Sequence, residues 1–516
     1  MSNPLNSITD HVEHWASHTP NAIAVSSFDT EISYAELLSL IDSTAARLSA
    51  AGVRPGDRVV LSGNNTPAWV VAFLAALRMR AVIVPLNSRL GSEQLRPLIE
   101  LVEPRIVLVD DTQFEVFTTA QITESGTRIH ALGSGDVTDA FAGMPCDHRW
   151  NAPSSADRDT LALLSFTSGT TGDPKAASIS HGSLVDSASV YVPWMPFRER
   201  AVSTILVPLF HNTGYVDQLG FMLVIGGQVD LVPRFRTTTA IDAMTRRPPS
   251  HLASVPSIYR MLMLTEHADV ILGSCRHAIV GGAGMPPAWS AEFFERWPEL
   301  NLFHAYGLTE FTSATHLLPA EEIRDHGDTV GYPVAGVHCS IRDPEGNEVP
   351  GGAAGEVWVS GPMRMLEYWK RSDATKDAFS GHWLRTGDIG AIDADGRLRI
   401  LGRINQVINR GGEKILPTQL EYLLAQNTAI AEVAVVGLPD PVMGERIVAG
   451  VVLRGGHTLD ETDARRQLQG RVPDYAIPEK FIALHELPYN ASGKIDRKHA
   501  TQLIAQQDAA GSVRVR

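Results

Sequence analysis

Cysteine is scarce in this chain. Among 516 residues only Cys146, Cys275 and Cys339 are cysteines, a scattered, odd-numbered set without metal-ligand spacing or a disulfide framework. Such usage suits a reducing compartment, and a cytoplasmic location is expected. Long apolar runs are also missing. The longest, Trp69–Val84, is interrupted by Arg78 and Arg80, so it reads as a helix followed by a buried strand and not as a membrane span. The opening MSNPLNSITDHVEHW has neither the basic start nor the apolar stretch of a secretory signal. Positive charge is in deficit, with 44 Lys and Arg against 58 Asp and Glu, a net −14. A general nucleic-acid binder would show the opposite balance, and docking on an anionic membrane is equally disfavoured. A local basic patch for an anionic ligand is not excluded. No internal repeat is present.

What the chain does have is length and alternation. It exceeds the roughly 250–300 residues at which one core stops growing, so a large part and a smaller domain are expected. Short β-rich runs, Arg58–Leu61, Ala81–Pro85, Arg105–Val109, Leu161–Phe166, Thr204–Val207, Val229–Val232, His251–Val255 and His277–Val280, are separated by helical patterns such as Pro67–Leu77. Apolar strands alternating with helices imply an α/β fold whose parallel sheets are covered on both faces. From about Gly355 the texture changes to EVWVSG, a DADG turn and RLRILG, which reads as a β-rich subdomain of antiparallel strands. The last segment, roughly 110 residues, is long enough for its own small α+β domain. The division is placed at 1–402 and 403–516, with a hinge near 403–406. The tail AAGSVRVR reads as disordered.

One loop raises a chemical question. TSGTTGDPK, residues 167–175, directly follows the strand run LALLSF. Ligands of parallel sheets bind at the carboxyl ends of the strands. Glycines let backbone N–H groups close on a ligand, and successive N–H groups form an anion-binding concavity. Thr167, Ser168, Thr170 and Thr171 add hydroxyls and Lys175 adds a cation, a combination that suits a polyphosphate. The loop is not a Walker A motif, because the Gly-Lys-Ser/Thr ending is absent.

TSGTTGDPK is similar to the signature loop of the adenylate-forming superfamily, in its acyl-CoA synthetase branch. Further motifs of that superfamily follow in its order: VGGAGMP (280–286), YGLTE (306–310), WLRTGDIG (383–390), GRINQVINRGGEK (402–414) and NASGKIDR (490–497). The resemblance implies a large N-terminal domain of layered βαβ sheets plus the β-rich subdomain, followed by a small mobile C-terminal domain. It implies an ATP-dependent acid–CoA ligase. A carboxylate attacks the α-phosphate of ATP, pyrophosphate leaves, and coenzyme A then displaces AMP. ATP and Mg²⁺ are the expected cofactors and coenzyme A the co-substrate.

By the same resemblance, Lys494 bridges the acid and the α-phosphate, and Glu310 is the metal ligand. Thr170 and His211 complete the catalytic set. ATP is held by Thr167, Ser168, Gly169, Thr170, Thr171, Gly172, Lys175, Gly282, Ala283, Gly284, Tyr306, Gly307, Thr309, Asp388, Arg403 and Lys494. In that set Tyr306 stacks on adenine and Asp388 accepts from the ribose hydroxyls. His211, Tyr215, Ser313 and Ala314 line the acyl pocket, and Gly411 and Gly412 the coenzyme A tunnel.

Three departures from the family pattern stand out. Ala176 follows Lys175 where glycine is usual, Asn405-Gln406 replaces a charged hinge pair, and MLEYW (365–369) has Glu367 in place of a glycine. Two other readings stay open. One is a stand-alone adenylation enzyme that loads a carrier protein or another acceptor; the other is an inactive nucleotide-binding paralogue. Against the amino-acid version of the first, Phe210 is followed by His211 and not by an aspartate, with Asp217 nearby but off position. Against the second, Lys494, Glu310 and Asp388 are all retained. The substrate expected is a small aromatic or a short- to medium-chain acid, and the protein a monomer or homodimer.

Overall fold

The computed structural model describes residues 5–28, 30–120, 127–133, 137, 139–141, 143–146, 150–153, 156–167, 174–197, 199–489 and 495–509. The apolar, β-branched runs form strands because their side chains fill both faces of a covered sheet. Arg58–Ser62, Val82–Pro85 and Ile106–Asp110 pair in parallel and join Leu161–Phe166 in a six-stranded sheet. A nine-stranded sheet lies beside it. Its centre is parallel: Ile23–Ser27, Gln228–Leu231, Val202–Ile205, His251–Ser254, His277–Gly281 and Asn301–Gly307. Antiparallel strands close both of its edges.

The helix Pro67–Arg78 shows how the two sheets share a core. Thr66 caps it by accepting from the Trp69 N–H, and Pro67 occupies the first turn. Residues 68–77 are all buried, as expected for a helix that is apolar all round. It packs on Arg58–Ser62 and Val82–Pro85 of one sheet and on Ile23–Ser27 of the other.

The pattern of parallel strands has one informative exception. Leu161–Phe166 does not feed a helix but returns at once as the antiparallel strand Ala176–Ser180. TSGTTGDPK therefore spans a hairpin. AASIS was hard to foresee as a strand, because alanine and serine are weak strand formers; here burial at every position overrides propensity. The strand expected at Thr204–Val207 lies at Val202–Ile205.

The β-rich subdomain contains His338–Arg342, Gly355–Ser360, Phe379–Ser380, Trp383–Ile392 and Leu398–Arg403, all antiparallel. The DADG turn joins the last two, with Gly396 N donating to Asp393 O at 3.1 Å. The smaller C-terminal domain is a five-stranded sheet beginning at Ile408. Helices Pro417–Leu424 and Glu461–Leu468 cover one face and Arg497–Ala509 covers the other. Each face has its own apolar cluster, one around Leu424, Ile447 and Leu468, the other around Val436, Val448 and Ile504. Among the described residues no helix is long and apolar enough to cross a membrane.

Candidate active site

Strands His277–Gly281 and Asn301–Gly307 are parallel neighbours, with Gly281 opposite Ala305. The GGAG and YGLTE loops therefore leave the same sheet edge side by side. Gly282, Ala283 and Gly284 are exposed there. Tyr306 turns its hydroxyl onto Asp388 Oδ2 at 2.5 Å. Asp388 faces Arg403 across the antiparallel pair Trp383–Ile392 and Leu398–Arg403, and Arg403 Nε lies 2.8 Å from Asp388 Oδ1. The carboxylate is almost fully buried while the Arg403 side chain is 52% exposed. Burial, and then the negative charge of Asp388, push the Tyr306 phenol well above its ordinary pKa, so it stays a neutral donor. A charged acceptor is thus held in place by one phenol and one guanidinium.

The turn after YGL is tight. A side chain at Gly307 would set its Cβ 2.0 Å from Ser313 O, and only glycine fits. Thr312 has φ 65°, left-handed and costly for a β-branched residue. It is held there by its hydroxyl, which donates to Met363 O at 2.7 Å, and by Asn212, whose side-chain amide donates to its carbonyl. This turn presents Thr309 and Glu310. The Glu310 carbonyl accepts from Met365 N at 2.8 Å, and its Oε1 accepts from the Tyr368 hydroxyl at 2.7 Å.

Tyr368 is a residue that the sequence reasoning missed. Residues 366–369 run beside Ala176–Ser180 as an extra ladder: Leu366 N donates to Ser178 O, Ser178 N to Glu367 O, and Trp369 N to Ala176 O. The ammonium of Lys175 lies 5.4 Å from the Tyr368 ring centre. The departure at Glu367 is harmless in this setting, since its backbone is in the ladder and its side chain is exposed. Ala176 is likewise accommodated, fully buried in a strand. The signal that could have exposed Tyr368 was the aromatic pair in MLEYW.

Thr167 N donates to Lys175 O at 3.1 Å and closes the stem of the signature loop. Ser168, Gly169, Thr170, Thr171, Gly172 and Lys494 lie outside the described residues.

The expected acyl-pocket residues are linked through partners that the sequence did not reveal. The His211 ring lies 4.4 Å from that of Phe210. The Tyr215 hydroxyl donates to Asn212 Oδ1 at 2.7 Å and stands 3.0 Å from Ser165 Oγ. Tyr215–Gly220 is a π-helical turn, a form often found at functional sites. It carries Asp217, whose Oδ1 accepts from the Ser313 hydroxyl. Burial raises the Asp217 carboxyl to about 6, opposed by hydrogen bonds from Ser313, Tyr191 and Thr213. Ala314 is buried opposite Gly307. Gly411 and Gly412 form the turn between Ile408–Arg410 and Glu413–Ile415, and Gly411 packs on Met443 of the same small domain.

Glu310 makes no ion pair among the described residues, and none of them forms a cluster of three metal-ligating side chains. A cation at Glu310 must therefore take most of its ligands from phosphate and water, which is how Mg²⁺ binds. The donor set fits that ion.

Comparison with known proteins places the chain in a family. A family model described as AMP-binding enzyme matches residues 12–369, and one described as AMP-binding enzyme C-terminal domain matches 419–494. The chain belongs to the AMP-binding enzyme family. It is an AMP-forming acid–CoA ligase, dependent on ATP and Mg²⁺. It is similar to an indoleacetate–CoA ligase of Aromatoleum aromaticum, 32% identical over 97% of this chain and 98% of that protein. A feruloyl-CoA synthase of Amycolatopsis is also 32% identical, over 92% and 95%. Among solved structures, ATP-bound MatB from Rhodopseudomonas palustris is 28% identical with a TM-score of 0.86, covering 97% of this chain and 99% of its own. The o-succinylbenzoate CoA synthetase MenE of Bacillus subtilis, bound to its acyl-adenylate, is 27% identical with a TM-score of 0.82, covering 95% and 97%.

Two outcomes are expected. Asp388→Ala leaves Tyr306 and Arg403 without their shared acceptor and raises the KM for ATP about 10- to 100-fold; steady-state kinetics with ATP varied checks this, and an unchanged KM removes Asp388 from the nucleotide site. Asp217→Asn acts on stability. The folded carboxyl titrates near 6 against 3.8 when unperturbed, so its ionisation costs nothing below the lower value, an increasing amount between the two, and the full amount above 6. Thermal unfolding should therefore show a larger gain in Tm for Asp217→Asn above pH 6 than near pH 3.8; an equal shift at both would refute the assignment.

Proposed function

We propose that this ligase activates a small aromatic or short- to medium-chain carboxylic acid and passes the acyl group to coenzyme A. The single observation that carries the reading is the buried Asp388, held between Tyr306 near the end of Asn301–Gly307 and Arg403 at the end of Leu398–Arg403. In it the acid's carboxylate attacks the α-phosphorus, the bond to the β-phosphate oxygen breaks, and pyrophosphate leaves. The thiol sulfur then attacks the acyl carbon and AMP departs.

An anion meets a polyanion in the first step, so the site has to supply fixed positive charge and donors. Lys175 and the amides and hydroxyls of the 167–175 loop hold the phosphate chain, and Lys494 reaches the α-phosphate and the attacking acid. Glu310 holds the Mg²⁺, which neutralises phosphate charge when bound. Thr309 donates to the α-phosphate, and Gly282, Ala283 and Gly284 give adenine access beside the backbone. Asp388 accepts from the ribose. His211, Tyr215, Ser313 and Ala314 wall the acyl group.

The C-terminal domain begins at 403 and turns about 403–406, presenting first Lys494 and then Gly411 and Gly412 to the thiol. Support comes from the short stretch between the end of Leu398–Arg403 and the first strand of the small sheet. The names of the two relatives at 32% identity, an indoleacetate ligase and a feruloyl synthase, favour an aromatic acid. A fatty acid–acyl-carrier-protein ligase of Streptomyces coeruleorubidus, 29% identical, keeps a carrier-protein acceptor as the second reading.

Pyrophosphate release measured across a panel of acids, with and without coenzyme A, tests the proposal. Aromatic acids should give the fastest release, with AMP and an acyl-CoA as products. Release independent of any acid, or ADP as product, would overturn it. Lys494→Ala should slow adenylate formation at least about 100-fold while transfer from a supplied acyl-adenylate to coenzyme A persists; equal loss in both halves would refute the role given to Lys494.

A further inference from the structure

We propose that Tyr368 is a positioning residue that holds Glu310 and Lys175 apart and aims each at the metal–nucleotide. The inference rests on the roles given above to Glu310 and Lys175. Three contacts carry it. The Tyr368 hydroxyl donates to Glu310 Oε1 at 2.7 Å. Its ring takes the Lys175 ammonium at 5.4 Å from the centroid. Its backbone lies in the ladder on Ala176–Ser180, and its N–H donates to Thr375 Oγ1 at 3.0 Å. The residue is buried, so the ring cannot swing away.

The chemistry of the phenol suits the task. A cation and a carboxylate set close together without a ligand neutralise one another, and each is then lost to the nucleotide. No ion pair joins Lys175 to Glu310 among the described residues. Instead the ammonium sits on an aromatic face, which attracts it without cancelling its charge. The carboxylate meets a neutral O–H, which fixes one oxygen and leaves the group anionic. A tyrosine hydroxyl is un-ionised at neutral pH, so it acts only as a donor towards the carboxylate. An arginine or lysine in its place would occupy Glu310 as a permanent counter-ion.

Two variants of the full-length chain separate this role from a general effect on folding. Tyr368→Phe keeps the ring and removes the hydroxyl; Tyr368→Leu removes both. Magnesium is titrated in acid-dependent pyrophosphate exchange at fixed ATP, and ATP binding is measured by calorimetry with and without Mg²⁺. For Tyr368→Phe, the Mg²⁺ concentration giving half-maximal exchange should rise about 5- to 10-fold, with metal-free ATP binding unchanged. For Tyr368→Leu, metal-free ATP binding should also weaken, by about 2- to 5-fold. A wild-type Mg²⁺ dependence in Tyr368→Phe overturns the proposal. So does a loss of rate that is the same at every Mg²⁺ concentration, which marks a purely structural residue. If no acid supports exchange, the activity reading above fails by itself, and calorimetry of Mg²⁺–ATP still decides the role of Tyr368.

Discussion

Asp388 holds Tyr306 with one carboxylate oxygen and Arg403 with the other, and two parts of the protein meet at that group. Tyr306 comes from the carboxyl end of Asn301–Gly307 in the nine-stranded sheet, whereas Asp388 and Arg403 come from two paired strands of the antiparallel subdomain. A buried carboxylate is costly unless it is paired, so the packing of these parts is tied to keeping both partners in place. The nine-stranded sheet and the antiparallel subdomain are joined at one charge.

The loops around that charge are built from unfavourable backbone held by specific donors. Thr312 keeps a left-handed φ because its hydroxyl and carbonyl are both engaged, and Gly307 is required by the close approach of Ser313 O. The same Ser313 reaches Asp217 in the π-helical turn, and Asn212 of the adjoining turn reaches Thr312. The turns at 307–313 and 212–220 thus share a hydrogen-bonded frame.

Much of this was legible in the sequence, for identifiable reasons. Parallel strands buried on both faces leave continuous apolar runs, and His277–Gly281 and Ile106–Asp110 fall where such runs predict. The helix Glu461–Leu468 and the DADG turn carry local signals strong enough to fix their bounds. The motif glycines and Asp388 were singled out through the resemblance of their motifs to the adenylate-forming superfamily, not by a local pattern. What stayed hidden depends on tertiary pairing. AASIS is a strand only because both of its faces are covered. Asn212, Asp217 and Ser165 look like ordinary polar residues in one dimension, and become a network only when the turn at 212–220 folds against residues 312–313. Tyr368 is brought beside Lys175 by a ladder between segments almost two hundred residues apart in sequence, which no local pattern encodes.

The two apolar clusters of the C-terminal sheet have a consequence for how this architecture diversifies. Because helices of the same domain cover both of its faces, the unit carries its own reason to fold, and a short run of backbone after Arg403 is its covalent tether. Recombination between homologous genes at that seam would exchange the C-terminal unit without opening the larger core. Changes in the small unit and changes in the large one can therefore accumulate on separate stretches of DNA.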